Sequence, residues 1–316
     1  MGRVIVVGAG VVGLSCAVRL LEAGHRVDVM ARELPQETTS AVAAAIWYPY
    51  LASPRERVEE WGLASLAVFE ELARDPLTGV VPRWGVELLH QPTPRPDWAA
   101  SVPSFGVAER VPERYAAGWS VQVPVIEMPI YLEWLLRRVE ALGGTVTRLA
   151  LPRLPRPDDP EVTVVNCAGL GSLGLAQDPT MYPIRGQIVL VEQVGLQEWW
   201  ADDEEVTYAI PRSTTIVLGG TAQDSVWTNV PDPATARAIV SRCAAMVPEV
   251  GWRLERAKIL AHRVGLRPGR PTVRLEEERV GDRRVVHCYG HGGSGVTLSW
   301  GCAADVTRLV GAPVSA

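Results

Sequence analysis

The first residues that could do chemistry are glycines: Gly8-Ala9-Gly10-Val11-Val12-Gly13. A G-x-G-x-x-G spacing says little by itself. Here Val4–Val7 reads as a buried strand before it, and a helix to about Ala23 follows, apolar at Leu14, Ala17, Val18 and Leu21. Gly24 closes that helix, and the next strand runs from Arg26 to Met30. This is a β-α-β unit with glycines at the strand-to-helix turn. Gly8 permits the tight turn, Gly10 lets the backbone approach a pyrophosphate, and Gly13 lets the helix lie close to the sheet. The amides of Ala9, Val11 and Val12 open a helix whose N-terminus favours an anion. The chemistry implied is dinucleotide binding; the bland alternative is an ordinary glycine turn. Past the second strand come Arg32 and Glu33. Glu33 is a candidate for the ribose hydroxyls, and Arg32 either meets the adenosine phosphate or faces solvent.

A second glycine loop, Gly290-His291-Gly292-Gly293-Ser294-Gly295, joins a strand over 284–289 to a helix over 296–310. The helix has an apolar stripe at Val296, Trp300, Ala303, Val306 and Val310, which docks it in the core. A helix N-terminus fixed in this way suits a developing negative charge. His287, Cys288 and His291 resemble metal ligands, but a closed site needs more ligands at suitable spacing. No metal is expected, and the histidines read as packing or supporting groups.

These loops need elements to hold them. Helices are expected over 54–74, 131–142 and 233–246, and strands over 145–149, 162–166, 186–191 and 216–219. Residues 50–130 are rich in Pro and Trp. β-α units at the start, middle and end, with β-rich insertions between, predict an α/β fold. In it a Rossmann-type domain (1–50, 131–180, 266–316) interleaves with a β-rich α+β substrate domain (51–130, 181–265).

With 316 residues, 47% of them hydrophobic, the chain can bury a large core. A net charge of −5 argues against nucleic-acid and membrane-surface partners. Of 31 basic residues only Lys258 is a lysine, which reads as genome composition. Five scattered cysteines, an odd number without C-x-x-C spacing, make neither a disulfide framework nor a zinc site. No signal peptide, membrane span, repeat or C-terminal peroxisomal address (Pro313–Ala316) is read. A reducing cytoplasm is the expected compartment.

The block from Val285 to Gly295, with Gly301 and Ala303, resembles the signature of the D-amino acid oxidase family of flavoproteins, which also contains D-aspartate oxidase. Further blocks match: residues 7–15, the segment Ala43-Ala44-Ala45-Ile46-Trp47-Tyr48-Pro49-Tyr50, residues 165–169, Arg185-Gly186-Gln187-Ile188, and residues 264–271. Cys288 departs from the usual Asn, His or Ala. The resemblance spans nearly the whole chain. It implies FAD, contacted further by Thr39, Ser40, Ala44, Ala45, Ile46, Trp47, Leu151, Gly169, Gly292, Gly293, Ser294, Gly295, Val296 and Thr297.

The resemblance also implies oxidation of D-amino acids, neutral ones preferred, to 2-oxo acids, ammonia and hydrogen peroxide by hydride transfer from Cα to flavin N5. Arg267 and Tyr208 would hold the substrate carboxylate. The Gly293 carbonyl would take the amine, and Tyr48 would face the substrate. The implied partners are a D-amino acid and dioxygen, with a homodimer as the one assembly considered. Glu204 stands where family members often carry a second tyrosine on a lid. The acids Asp202-Asp203-Glu204-Glu205 read either as a solvated tip or as a lid whose Glu204 or Glu205 repels acidic substrates. Alternatives are a D-aspartate oxidase, a glycine or sarcosine oxidase, and, more remotely, an NAD-dependent or non-catalytic nucleotide-binding protein.

Overall fold

The computed structural model describes residues 2–48, 52–156, 159, 161–280 and 283–311. Pro49 and Tyr50, part of the loop at 152–160, and the C-terminal residues 313–316 lie outside the described residues. In chain order, β1 (Arg3–Val7), α1 (Val11–Glu22) and β2 (Arg26–Ala31) form the opening unit. They are followed by α2 (Thr39–Val42), α3 (Arg55–Leu72), β3 (Val80–Leu89), β4 (Gly106–Val107) and β5 (Ala117–Ile126). Next come α4 (Met128–Ala141), β6 (Thr145–Arg148), β7 (Thr163–Asn166) and α5 (Ser172–Leu175). A meander of β8 (Tyr182–Glu192), β9 (Trp199–Asp202), β10 (Thr207–Pro211), β11 (Thr215–Gly219) and β12 (Gln223–Asp224) leads to α6 (Pro233–Met246) and α7 (Gly251–Leu254). β13 (Ile259–Gly269), β14 (Arg274–Val280), β15 (Arg283–Tyr289) and α8 (Gly295–Val310) end the chain.

Two sheets result. The first has the order β14-β15-β7-β1-β2-β6, with β1 parallel to both neighbours. Val4–Val7 are buried on both faces, as the unbroken apolar run requires of a central parallel strand. The second sheet, of nine strands among the described residues, has the order β12-β8-β11-β10-β9-β3-β5-β4, with β13 also paired to β8. The chain passes repeatedly between them, which is the interleaved α/β architecture expected.

Several bounds moved. The fourth helix begins at Met128, three residues before the expected Tyr131, because Pro129 sits in its first turn, where a missing N–H costs nothing. β13 was not foreseen. Its run Ile259–Gly269 contains His262, Arg263 and Arg267 and shows no apolar alternation, since pairing with β8 sets its form. β13 keeps to the second sheet through Gly269, beyond the residue-265 boundary read from the sequence, so Arg267 stands on the second sheet. One large apolar cluster joins α1, α3, α4 and α8 to the inner faces of both sheets, and α8 packs against both α1 and α3.

Candidate active site

A cavity of about 830 Å³ runs from the β2 end of the first sheet to the β9–β10 hairpin of the second. Both glycine loops form its wall. Gly8, Ala9, Gly10, Val11 and Val12 line one stretch, and Gly292, Gly293, Gly295, Val296 and Thr297 another. At Gly8 the backbone is left-handed (φ +112°), and a Cβ there would fall 2.4 Å from the Cys167 carbonyl oxygen. Only glycine lets β1 turn into α1 against β7. Ser40 Oγ accepts from the Val11 amide (3.0 Å), which places a hydroxyl at the N-terminus of α1.

The wall continues through Thr39, Ser40, Ala44, Ala45, Ile46, Leu151 and Gly169. Ala45 holds φ +59°, a conformation uncommon without glycine. It is fixed because its carbonyl accepts from the Ile126 amide (2.8 Å) while Ile46 bridges to Val125. Arg32 and Glu33 border the far end, paired with each other at 2.8 Å and largely exposed. These features fit a dinucleotide such as FAD: length, two amide-rich turns, and a small-residue floor that a bulky side chain would fill.

Three sequence-assigned cofactor residues stand outside the wall. Gly13 is one turn behind it, where a Cβ would lie 2.0 Å from the Gly8 carbonyl oxygen, so its part is to seat α1. Trp47 turns its indole away from the cavity, donating to the Gly62 carbonyl (2.8 Å) and packing edge-on against Trp98. Ser294 is buried in the loop and precedes α8.

At the other end, Arg267 from β13 and Tyr208 from β10 come together. Arg267 lies over Gly186 of β8, where a Cβ would fall 2.5 Å from Nη1. Its Nη1 donates to the Thr221 carbonyl (2.9 Å). Tyr208 lies over Gly219, where a Cβ would fall 2.0 Å from its ring. Burial raises the Tyr208 phenol, opposed by the adjacent Arg267 charge and hydrogen bond. Each side chain thus has a bare backbone bed, and the Arg185-Gly186-Gln187 motif acquires a second purpose. Buried Arg185 donates to the Thr228 and Val230 carbonyls and to Gln187, and Gln187 donates to the Asp232 carbonyl, holding the segment after β12, while the Gln187 amide donates to Thr221 Oγ1 (2.9 Å).

Tyr48 lines the cavity, but its hydroxyl donates to the Glu87 carboxylate on β3. Burial, with the Glu87 charge, pushes the Tyr48 phenol up, and burial pushes the Glu87 carboxyl up as well. Thr297 fixes this segment, its Oγ1 donating to the Tyr48 carbonyl at 3.0 Å.

Of the two readings of the acidic run, Glu204 and Glu205 follow the solvated tip. Asp203 and Val206 are closed by a bond from the Val206 amide to the Asp203 carbonyl (3.3 Å). Glu204 and Glu205 are the exposed tip of that turn and do not border the cavity; Glu205 pairs outward with Arg114 (3.0 Å). Asp203 borders it instead. The sequence held one clue: strand alternation puts 201 and 203 on the face opposite 202.

The cysteines and histidines also regroup. His287 turns toward Asn166 and Glu278, away from Cys288. Cys16, Cys167 and Cys288 converge, as do Cys288, His291 and Cys302, all buried. The cysteines, scattered in sequence, pack as small apolar groups, and Cys167, Cys288 and His291 border the cavity.

Residues 3–309 match the family described as FAD dependent oxidoreductase (DAO). The chain is 49% identical to a D-amino-acid oxidase of Rubrobacter xylanophilus over 322 residues, covering 100% of this chain and 98% of that one. It is 44% identical to a D-amino-acid oxidase of Streptomyces coelicolor, covering 98% and 96%. Its fold superposes on a crystal structure of glycine oxidase from Geobacillus kaustophilus with a TM-score of 0.81 at 19% identity, covering 98% and 95%. No helix among the described residues is long and apolar enough to cross a membrane. With a cavity built on two glycine turns and a match over nearly its full length, the chain belongs to the FAD-dependent oxidoreductases of the DAO family.

Proposed function

We propose that the protein oxidises D-amino acids, with Arg267 and Tyr208 receiving the α-carboxylate. One observation carries this reading most: an arginine and a tyrosine from strands far apart in sequence meet in the cavity that both glycine loops line. The two relatives named as D-amino-acid oxidases support the substrate class.

Arg267 is permanently charged, and its planar fork suits a carboxylate. The Thr221 carbonyl occupies one N–H of that fork and sets its direction, leaving other N–H groups for substrate. The Tyr208 hydroxyl donates beside it. Gly293, bordering the cavity in the turn before α8, offers its carbonyl to the substrate amine. Three such contacts fix the Cα–H direction, and orientation of this kind supplies much of a rate enhancement. No side chain need take the Cα proton when the amine is neutral and hydrogen leaves Cα with its electron pair. Bound FAD supplies the two-electron acceptor. Val296 and Thr297 hold the positive end of α8 toward the cavity, favouring negative charge that builds up there. The sum is D-amino acid, dioxygen and water giving 2-oxo acid, ammonia and hydrogen peroxide, the imino product being hydrolysed by water.

The test is peroxide release by the FAD-loaded protein across paired D- and L-amino acids. Turnover confined to the D series is expected. Equal turnover of both series, or none with a bound flavin spectrum, overturns the reading.

A further inference from the structure

The cavity carries opposite charges at its substrate end, and only one of them is used by the α-carboxylate. Asp203 borders the cavity beside Ala201, Val206, Tyr208 and Ile210. Its carboxylate has no hydrogen bond or ion pair to another described residue. That sets it apart from Asp202, Glu205 and Glu87, which are all engaged. Asp202, one residue earlier and on the opposite strand face, accepts from His90 (3.0 Å) and Tyr115 (2.9 Å) and lies 3.6 Å from Arg114. Glu205 pairs with Arg114, and Glu87 accepts from Tyr48.

We propose that Asp203 is the anchor for a cationic substrate side chain, so that D-amino acids with an ammonium or guanidinium end (D-lysine, D-ornithine, D-arginine) are preferred substrates. This rests on the reading of the cavity given above.

The argument is electrostatic. Asp203 exposes surface, but that surface faces the cavity, and protein surrounds it on its other sides. Burial, with the charges of Glu87 and Asp202, raises its carboxyl to about 7. The charges that reach it are those of Glu87 from β3, with Tyr48 upon it, and of Asp202 at the end of β9, while Tyr208 from β10 and Arg267 from β13 line the same cavity. Asp224 of β12 is a further, exposed acid on the cavity border. An anion pressed by other anions at a cavity wall is stabilised most by a cation brought to it. A substrate with its carboxylate on Arg267 and a positive side-chain terminus supplies that cation. A neutral side chain leaves the carboxylate uncompensated, and an acidic one adds repulsion. The expected preference for neutral side chains therefore gives way to one for basic side chains.

The experiment compares kcat/KM of the FAD-loaded enzyme for D-lysine, D-norleucine and D-glutamate between wild type, Asp203→Asn and Asp203→Glu. D-Norleucine matches the D-lysine chain without its charge. The D-lysine to D-norleucine ratio should fall at least tenfold in Asp203→Asn and be largely restored in Asp203→Glu. Asp224→Asn, or Gln at both Glu204 and Glu205, should shift it less than threefold. In wild type the same ratio should rise with pH through about 7, as the Asp203 proton is lost. This profile needs no variant, so it still decides the matter if the substitutions impair folding. A proportional loss for D-lysine and D-norleucine would assign Asp203 to the shared α-ammonium and overturn the proposal, as would a flat pH ratio. Absence of turnover on every D-amino acid would instead overturn the functional reading. In that case thermal shifts with D-lysine against D-norleucine, in wild type and Asp203→Asn, still measure the preference.

Discussion

The two ends of the cavity are built by different means. The cofactor end is made of backbone: amides at Ala9 to Val12 and Gly292 to Val296, with glycines where a Cβ would strike another strand. The end where we place the substrate is made of side chains, Arg267, Tyr208 and Asp203 from strands and a turn of the second sheet and Tyr48 from the segment after α2. A backbone site must write itself into contiguous residues, because the turn, the helix start and the close approach occupy one short segment. A side-chain site need not, because strand pairing brings distant positions together. Gly186 and Gly219 show the link between the two styles, since each is a bare backbone patch on which a working side chain rests.

The largest expected effect lies at the substrate end. Arg267→Met should lower kcat/KM for every D-amino acid by about 100- to 1,000-fold, the scale of removing one partner of a buried charge pair. Its flavin spectrum should stay that of wild type, as Arg267 stands on the other sheet from the α1 turn. Stopped-flow reduction and an absorbance scan separate the two readouts. Loss of flavin in this variant would break the division between the ends.

The reciprocal change is Gly10→Ala. A Cβ would come to 3.1 Å from Ser40 Oγ, a contact the serine can partly relieve. FAD affinity should weaken by about tenfold, near 1.4 kcal/mol, as read by titrating apoprotein. Turnover at saturating FAD should remain within about threefold.

Tyr208→Phe tests the side-chain end more gently. Losing one hydrogen bond, worth about 1 kcal/mol, should raise KM about fivefold for substrates of every side-chain class. An effect restricted to one class would move Tyr208 from the carboxylate to the side chain.

The smallest effect concerns the frame between the ends. Asp178 accepts from Arg270 (3.0 Å), Tyr289 (2.9 Å) and Thr180, and these bonds hold its carboxyl well below the usual range although burial opposes them. A lowered folded pKa stabilises the native state at pH above the ordinary carboxylate value, near 4, and that stabilisation is lost as pH falls further. Asp178→Asn should lower Tm at pH 7 by a few degrees, corresponding to about 1–2 kcal/mol. The difference from wild type should shrink below pH 4 in acid melts.

What could be read from the sequence follows the same division. Both glycine loops, the helices after them and the buried strands at 4–7 and 163–166 were legible, because local pattern and tertiary role coincide there. β13 was not, since its charged, non-alternating run is held by a neighbouring strand. Trp47 was misplaced because the segment 44–48 winds along the wall, and which side chain turns outward depends on the bonds from β5. Asp203 was hidden inside a run of four acids that looked uniform. A turn geometry that no composition reveals separated the inward carboxylate from the tip.

The position of α8 sets the point in synthesis at which both halves of the cofactor site can exist. This last helix packs against α1, the first, and closes the wall that α1 begins. Synthesis at about 5–20 residues per second separates the two by roughly 15–60 s. During that interval the first amide turn exists without its counterpart, and the cofactor has half a binding site. Flavin loading is thus tied to the arrival of α8.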